Sequence, residues 1–232
     1  MIAPIIYAII SRPQCFGWTR RLEWTLDQQF VVGMREKLAG RNKRQLIEGM
    51  IARSPHQIAT EKLVMALESY PLLLLLLAKE YPTQIWLLDR GELPSSAAIL
   101  NDQARRRRWH SQGIGVDDCE GLTDVVNGKV TIVVSWKTLL IMRHEFAHAV
   151  TTFFSPNIRR RLGLLYAQAK QRGVFAEPLA AESIGEYVAC GISYQFFPDL
   201  SAELREVDAG LYRCIEGLLR EAEELSALIA GT

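Results

Sequence analysis

The sequence of 232 residues has no closely spaced cysteine pair. Its four cysteines, Cys15, Cys119, Cys190 and Cys214, lie far apart along the chain. A chain of this length can bury its own core and does not depend on disulfide bonds. Scattered cysteines in such a chain are typical of reduced thiols, so we expect a reducing compartment.

A surplus of one charge is also absent. Lys and Arg number 27 against 26 Asp and Glu, which gives a formal net charge of +1. We therefore expect neither nucleic acid nor a membrane surface as the main partner. The basic cluster at 105–110 has aspartates near it, which favours a solvated charged face over a contact with a phosphate or an acidic substrate.

Long apolar runs are missing as well, since none reaches the roughly 20 residues that span a bilayer. Residues 1–10 are apolar but have neither a basic start nor a small-residue cleavage site, so we expect a buried strand there and not a signal peptide. The leucine run at 72–77 is bounded by Glu68 and Lys79 and predicts a core helix. The expected location is cytoplasmic, with export by a non-classical route as the alternative.

What is present has the composition of a globular protein, with 49% hydrophobic and 23% charged residues and no repeat or linker. We predict one α+β domain, mostly helical, with a small mixed sheet: residues 1–82 form its helical N-terminal part and 83–232 its motif-bearing region. Short apolar runs predict strands at 84–88 and 129–134, and 91–128 is the least regular part. The predicted helices are 22–38, 44–51, 56–69, 72–80, 136–154, 158–171, 177–197 and 202–229.

The segment His144-Glu145-Phe146-Ala147-His148 lies on the predicted helix 136–154, which Ser135 is expected to cap. Residues four apart project from one helix face, where two imidazoles can share one zinc ion. Glu145 is badly placed to be a ligand but can act as the base of a metal-activated water. The pattern is short enough to occur by chance. A buried His-Glu-His triplet without a metal, however, would leave polar groups uncompensated, which favours a metal site.

A third ligand is needed, because a catalytic zinc site takes three protein ligands and leaves a position for water. Phe154 and Ser155 stand where a metzincin would have its third histidine. The predicted helix 177–197 offers Glu182 and Glu186, four residues apart and thus on one face, while His110 in a loop is a weaker candidate. The alternative for the two glutamates is a solvated helix surface.

Three segments together resemble known peptidases: 144–150, Glu186-Tyr187-Val188-Ala189 and 194–198. They are similar to the anthrax lethal factor type of gluzincin and to the Mlc titration factor A peptidases. The resemblance covers roughly residues 129–215 and none of 1–128. It implies a zincin-like fold, one Zn²⁺ per chain and a zinc-dependent endopeptidase or aminopeptidase activity on a peptide or protein substrate.

By position, the resemblance makes His144, His148 and Glu186 the metal ligands and Glu145 the general base, with Glu182 as second choice for the third ligand. If Glu182 is the ligand, Glu186 would orient a histidine. If Glu186 is the ligand, the residue four positions later is Cys190, which is a poor orienting group.

One departure from the resembled families concerns the oxyanion. Their members often carry a tyrosine seven residues before the ligand glutamate, and Leu179 stands at that position here. Tyr166, Tyr187, Tyr194 or His110 are the candidates to replace it. Loss of one such donor can cost about 10²–10³ in rate. The alternative to a peptidase is therefore a weak or inactive zincin-like scaffold that serves as a protein-binding or regulatory module.

A final expectation concerns the strand 129–134, which directly precedes the helix of the motif. Its edge could pair with the extended backbone of a peptide. An ordinary core strand is the equally weighted alternative, because edge position cannot be read from one sequence.

Overall fold

The structure, a computed structural model, describes residues 28–38, 40–100, 108–109, 114–126 and 129–231. The strand predicted at 1–10, the candidate ligand His110 and most of the basic cluster lie outside the described residues. The described part is an α+β fold, mostly helical, with a small mixed sheet, as the sequence predicts. None of the described helices is both long and apolar enough to cross a membrane.

The helices are α1 (Gln28–Leu38), α2 (Lys43–Glu48), α3 (Gln57–Leu67), α4 (Leu72–Glu80), α5 (Leu139–Thr151), α6 (Pro156–Arg172), α7 (Ile184–Tyr194), α8 (Pro198–Val207) and α9 (Ala209–Ala230). The strands are β1 (Ile51–Arg53), β2 (Thr83–Leu88), β3 (Arg108–Trp109), β4 (Ile114–Gly115), β5 (Gly121–Val126) and β6 (Lys129–Ser135). Short 3₁₀ turns occur at Pro94–Ser96, Val116–Asp118 and Pro178–Ala181.

Four strands form the main sheet in the order β1-β2-β6-β5, while β3 and β4 pair separately. The β1–β2 and β2–β6 pairs are parallel, and β5 runs antiparallel to β6. All residues of β6 after Lys129 are buried, as expected for a strand covered on both faces. The proposal that β6 offers a free edge to a peptide is therefore wrong, because β2 and β5 occupy both of its sides. Within the described residues the edge strands of this sheet are β1 and β5, and β5 lies in a region where the sequence predicts no strand.

One large hydrophobic cluster runs from Met34 to Ile229 and joins both predicted parts of the chain. The N-terminal part is not purely helical, because β1 pairs with β2 across the boundary at 82/83. A second, smaller cluster packs beside the first and includes Leu122 of β5 and Val133 of β6. The two predicted parts thus share one sheet and one core.

Several predicted helices begin or divide at other residues. Thr138 caps α5, three residues after the predicted cap Ser135, and Ser155 caps α6. The predicted helix 177–197 is a 3₁₀ turn followed by α7, because Ser183 is extended and its hydroxyl accepts the backbone N–H of Glu186. The predicted helix 202–229 is likewise two helices, since Asp208 stops α8 and caps α9.

The buried guanidinium of Arg143 connects three helices. From α5, its Nε donates to the carbonyl of Ala66 at 3.0 Å and its Nη1 to the carbonyl of Phe196 at 3.1 Å. These carbonyls lie at the C-terminal ends of α3 and α7, where helix dipoles favour a cation. The hydroxyl of Tyr70 donates to the backbone oxygen of Arg143 at 2.7 Å, and the ring of Phe197 lies 4.5 Å from the guanidinium carbon.

The packing of α7 on α9 combines close contact with a buried polar pair. A Cβ at Gly191 would lie 2.9 Å from Leu211, so only glycine permits this approach of the two helices. The Tyr187 hydroxyl donates to one carboxylate oxygen of Asp208 at 2.5 Å. The other oxygen accepts the backbone N–H of Leu211 at 2.9 Å. Asp208 is only 2% exposed, so both of these bonds are shielded from water.

We expect Asp208→Ala to lower the free energy of unfolding by about 2–4 kcal/mol, because it removes a helix cap and leaves the buried Tyr187 hydroxyl without this acceptor. Asp199→Ala, in the exposed first turn of α8, is the matched control and should cost under about 1 kcal/mol. Urea unfolding followed by circular dichroism measures both. Equal losses in the two variants would contradict the structural role of Asp208.

Candidate metal centre

His144 and His148 lie one turn apart on α5 and direct their rings to the same point. Their Nε2 atoms are 3.2 Å apart, and the two rings meet edge to face with centroids 4.8 Å apart. Both histidines are only partly buried, whereas the apolar residues around them in α5 are buried in the core. The helix therefore presents the histidine face to the site and its apolar face to the core.

Glu186 joins the two histidines from the first turn of α7. Its Oε2 lies 2.9 Å from Nε2 of His144 and 3.4 Å from Nε2 of His148. The Ser183 cap sets where α7 begins and so places Glu186 opposite α5. His144, His148 and Glu186 form one cluster, called the metal group below. Glu182 precedes the cap, at the end of the 3₁₀ turn, and does not belong to this group. The four-residue spacing of the two glutamates does not place them on one helix, because the extended Ser183 separates the 3₁₀ turn from α7.

The three ligand atoms fit a divalent metal ion. Around a tetrahedral zinc with bonds of about 2.0–2.1 Å, neighbouring ligand atoms are about 3.3–3.4 Å apart. The separations here are 2.9, 3.2 and 3.4 Å. Two imidazole nitrogens and one carboxylate oxygen are also a donor set that zinc accepts. The cluster differs from the His-Glu-x-x-His segment in two ways. It excludes Glu145, and it includes Glu186 from another helix.

Electrostatics favour an ion pair in this group when it holds no metal. Burial alone would raise the pKa of Glu186, but its hydrogen bonds with both histidines lower that pKa to about 2. Burial opposes a charge on His144, yet the hydrogen bond with Glu186 and the nearby glutamates raise its pKa. A metal must displace the proton that His144 and Glu186 share, so its affinity increases with pH across the His144 titration.

Glu145 lies beside the group, with its side chain against β5. Its residue is 7% exposed, and Thr123 Oγ1 lies 2.8 Å from Glu145 Oε2 and 2.8 Å from its backbone oxygen. A Cβ at Gly121 would lie 2.6 Å from Glu145 Cγ and 2.7 Å from Oε1. The start of β5 therefore accommodates the Glu145 carboxylate only because residue 121 has no side chain. Sequence reasoning missed Gly121 and Thr123 because it predicted no strand here.

The structure does not direct the three candidate tyrosines to the group. The Tyr187 hydroxyl donates to Asp208, and the Tyr166 hydroxyl donates to the carbonyl of Ala181 at 2.8 Å. The Tyr194 hydroxyl donates to Glu177 Oε2 at 2.7 Å. Each phenol is thus held by another partner, and an oxyanion donor among them would require one of these bonds to break.

Glu177 is a third residue that the sequence did not single out for the site. Its Oε1 accepts the thiol proton of Cys190 at 2.8 Å, and the Cys190 sulfur lies 3.9 Å from Nδ1 of His144. Burial, followed by the charge of Glu177, raises the pKa of the Cys190 thiol, so the thiol remains protonated. No spacing rule could have found Glu177. The sequence predicts one regular helix from residue 177, whereas in the structure a 3₁₀ turn separates Glu177 from α7.

Comparison with profiles of known protein families and with curated protein sequences gave no match for this chain.

Proposed function

We propose that this chain is a zinc-dependent peptidase of the gluzincin type with a zincin-like fold. The observation that carries the proposal is the convergence of His144 Nε2, His148 Nε2 and Glu186 Oε2 at separations of 2.9–3.4 Å. A glutamate that is not one of the ligands, Glu145, lies next to His144 on the same helix. A purely structural metal site would have no use for such a base.

Zinc bound by these three residues would polarise the scissile carbonyl and acidify the attacking water. Glu145 is the general base of the proposed reaction: its carboxylate takes the proton of the water as the carbonyl is attacked and then returns it to the leaving amine. The Thr123 hydroxyl lies at hydrogen-bond distance from Oε2 of that carboxylate, and the backbone at Gly121 lies close to its other oxygen. These contacts limit the rotation of the carboxylate and so hold it in position for proton transfer.

The proposed substrate is a peptide in extended conformation. Of the two edge strands of the described main sheet, β1 and β5, it is β5 that touches the Glu145 side chain. An extended backbone that pairs with an edge strand gains main-chain hydrogen bonds without a sequence requirement. Pairing with β5 would bring one peptide bond next to Glu145 and the histidines.

The alternative is a catalytically weak or inactive scaffold of the same kind that binds a protein partner. The direction of the tyrosine hydroxyls favours it, because Tyr166, Tyr187 and Tyr194 all donate away from the metal group. A peptidase without a donor to the oxyanion would be slower by about 10²–10³. The intact Glu145 favours the peptidase.

The metal ligands are tested by zinc content after chelator treatment and zinc addition. We expect about one zinc per chain in the wild type, a sharp loss in Glu186→Ala, and retention in the matched variant Glu182→Ala. Zinc kept by Glu186→Ala but lost by Glu182→Ala would move the third ligand to Glu182. A wild type that binds no zinc would overturn the metal centre.

The role of Glu145 is tested with a peptide library and the variant Glu145→Gln. Removing the general base should lower hydrolysis by about 10²–10⁴ while zinc content stays at the wild-type level. Unchanged hydrolysis in the variant would contradict the assignment of the base. A wild type that holds zinc but cleaves no peptide would support the protein-binding alternative.

Gly121→Ala tests the contact between β5 and Glu145 without touching a ligand. The new Cβ must displace the Glu145 side chain, and a shift of this size in a catalytic group can cost about 10²-fold in rate. Gly33→Ala on α1, where a Cβ has no neighbour within 4 Å, is the control and should leave hydrolysis unchanged. Both variants should retain zinc. Full activity in Gly121→Ala would show that Glu145 acts from another position.

A further inference from the structure

We propose that Glu177 is a positioning residue for the metal ligand His144 and that it acts through the thiol of Cys190. This inference rests on the proposed metal centre but not on the reaction carried out there. Its basis is a chain of contacts from Glu177 Oε1 to Cys190 Sγ at 2.8 Å and from that sulfur to His144 Nδ1 at 3.9 Å.

The number of protons available to Glu177, Cys190 and His144 determines which ring nitrogen of His144 carries a proton. A thiol has one proton to donate, and here it is directed to the Glu177 carboxylate, which can only accept. The sulfur can then interact with His144 Nδ1 only as an acceptor, so Nδ1 carries the ring proton. Once a metal displaces the proton that Nε2 shares with Glu186, the ring keeps its proton at Nδ1 and Nε2 offers its lone pair to the metal.

Without Glu177, the preference for a ring proton on Nδ1 of His144 is lost. The thiol proton would be free to donate to Nδ1, which would leave the ring proton on Nε2, the atom that faces His148 and Glu186, and so oppose its displacement by a metal. A protonated Nε2 cannot bind a metal ion. Glu177 thus selects the ligand form of His144 although it lies two hydrogen bonds away from the metal group.

The carboxylate of Glu177 is itself fixed at both oxygens. Tyr194 donates to Oε2 at 2.7 Å while Cys190 donates to Oε1, and both donors belong to α7. Glu186, Cys190 and Tyr194 follow each other at intervals of four residues, so one face of α7 holds the ligand, the thiol and the anchor. Glu177 is 13 residues before Cys190 in the chain, so it contacts this face of α7 from outside the helix.

Zinc affinity, measured by competition with a chromophoric chelator, tests this role. We expect Glu177→Ala and Glu177→Gln to bind zinc about 10- to 100-fold more weakly than the wild type. Glu203→Gln, an exposed carboxylate on α8, is the matched control and should bind zinc like the wild type. Urea unfolding of each variant separates a loss of affinity from a loss of folding.

Two further measurements respond to positioning and not to stability alone. In the cobalt-substituted wild type, the exchangeable Nδ1 proton of His144 should appear as a shifted ¹H NMR signal, and it should broaden or vanish in Glu177→Ala. The double variant Glu177→Ala/Cys190→Asp places a carboxylate next to Nδ1 and should recover both the signal and most of the lost affinity.

Wild-type zinc affinity together with an unchanged Nδ1 signal in Glu177→Ala would overturn the role of Glu177 and leave the metal centre intact. Failure of the double variant to recover affinity while it remains folded would also overturn it. A wild type that binds no metal would instead overturn the metal centre, and this inference with it.

Discussion

The position of the metal group depends on the buried guanidinium of Arg143. This residue immediately precedes His144, and its hydrogen bonds hold α5 against the ends of α3 and α7. The two carbonyls that it binds lie at helix ends, where backbone acceptors have no partner within the helix. The carbonyl of Ala66 also accepts the hydroxyl of Ser69. A shift of α5 along α7 would break the Arg143 bonds and leave the buried guanidinium without these acceptors, at a large cost in free energy. The three candidate ligand atoms, which come from two helices, therefore lie within 3.4 Å of each other.

The parts of the site that follow from local spacing could be predicted from the sequence. His144 and His148 share a face because four residues make about one turn, and β2 and β6 are apolar runs of strand length. The structure also brings the predicted Glu186 to the histidines. The strand β5 could not be predicted, because it lies in a Gly- and Asp-rich region and depends on pairing with β6. Gly121 and Thr123 were missed for the same reason.

A second limit of sequence reasoning concerns the segment before α7. Read as one helix, 177–197 would carry Glu177 away from the face of α7 that bears Cys190. The Ser183 cap and the 3₁₀ turn instead fold it back, so that Glu177 reaches that face from outside the helix. Cap residues compete with helix continuation through short hydrogen bonds, and tertiary contacts decide which one prevails. Likewise, the partners of the tyrosine hydroxyls depend on how α6, α7 and α9 pack, which helical periodicity does not show.

The proposed ligand set would also couple metal binding to folding. His144 and His148 are neighbours on one helix, but Glu186 is 42 residues from His144, and the unfolded chain does not hold it near them. An ion that needs all three ligands therefore binds the folded chain in preference to the unfolded one. At a free ion concentration 100 times the dissociation constant, this preference adds about 2.7 kcal/mol to the stability of the fold. The lifetime of the protein in a cell would then depend on how much free metal its surroundings contain.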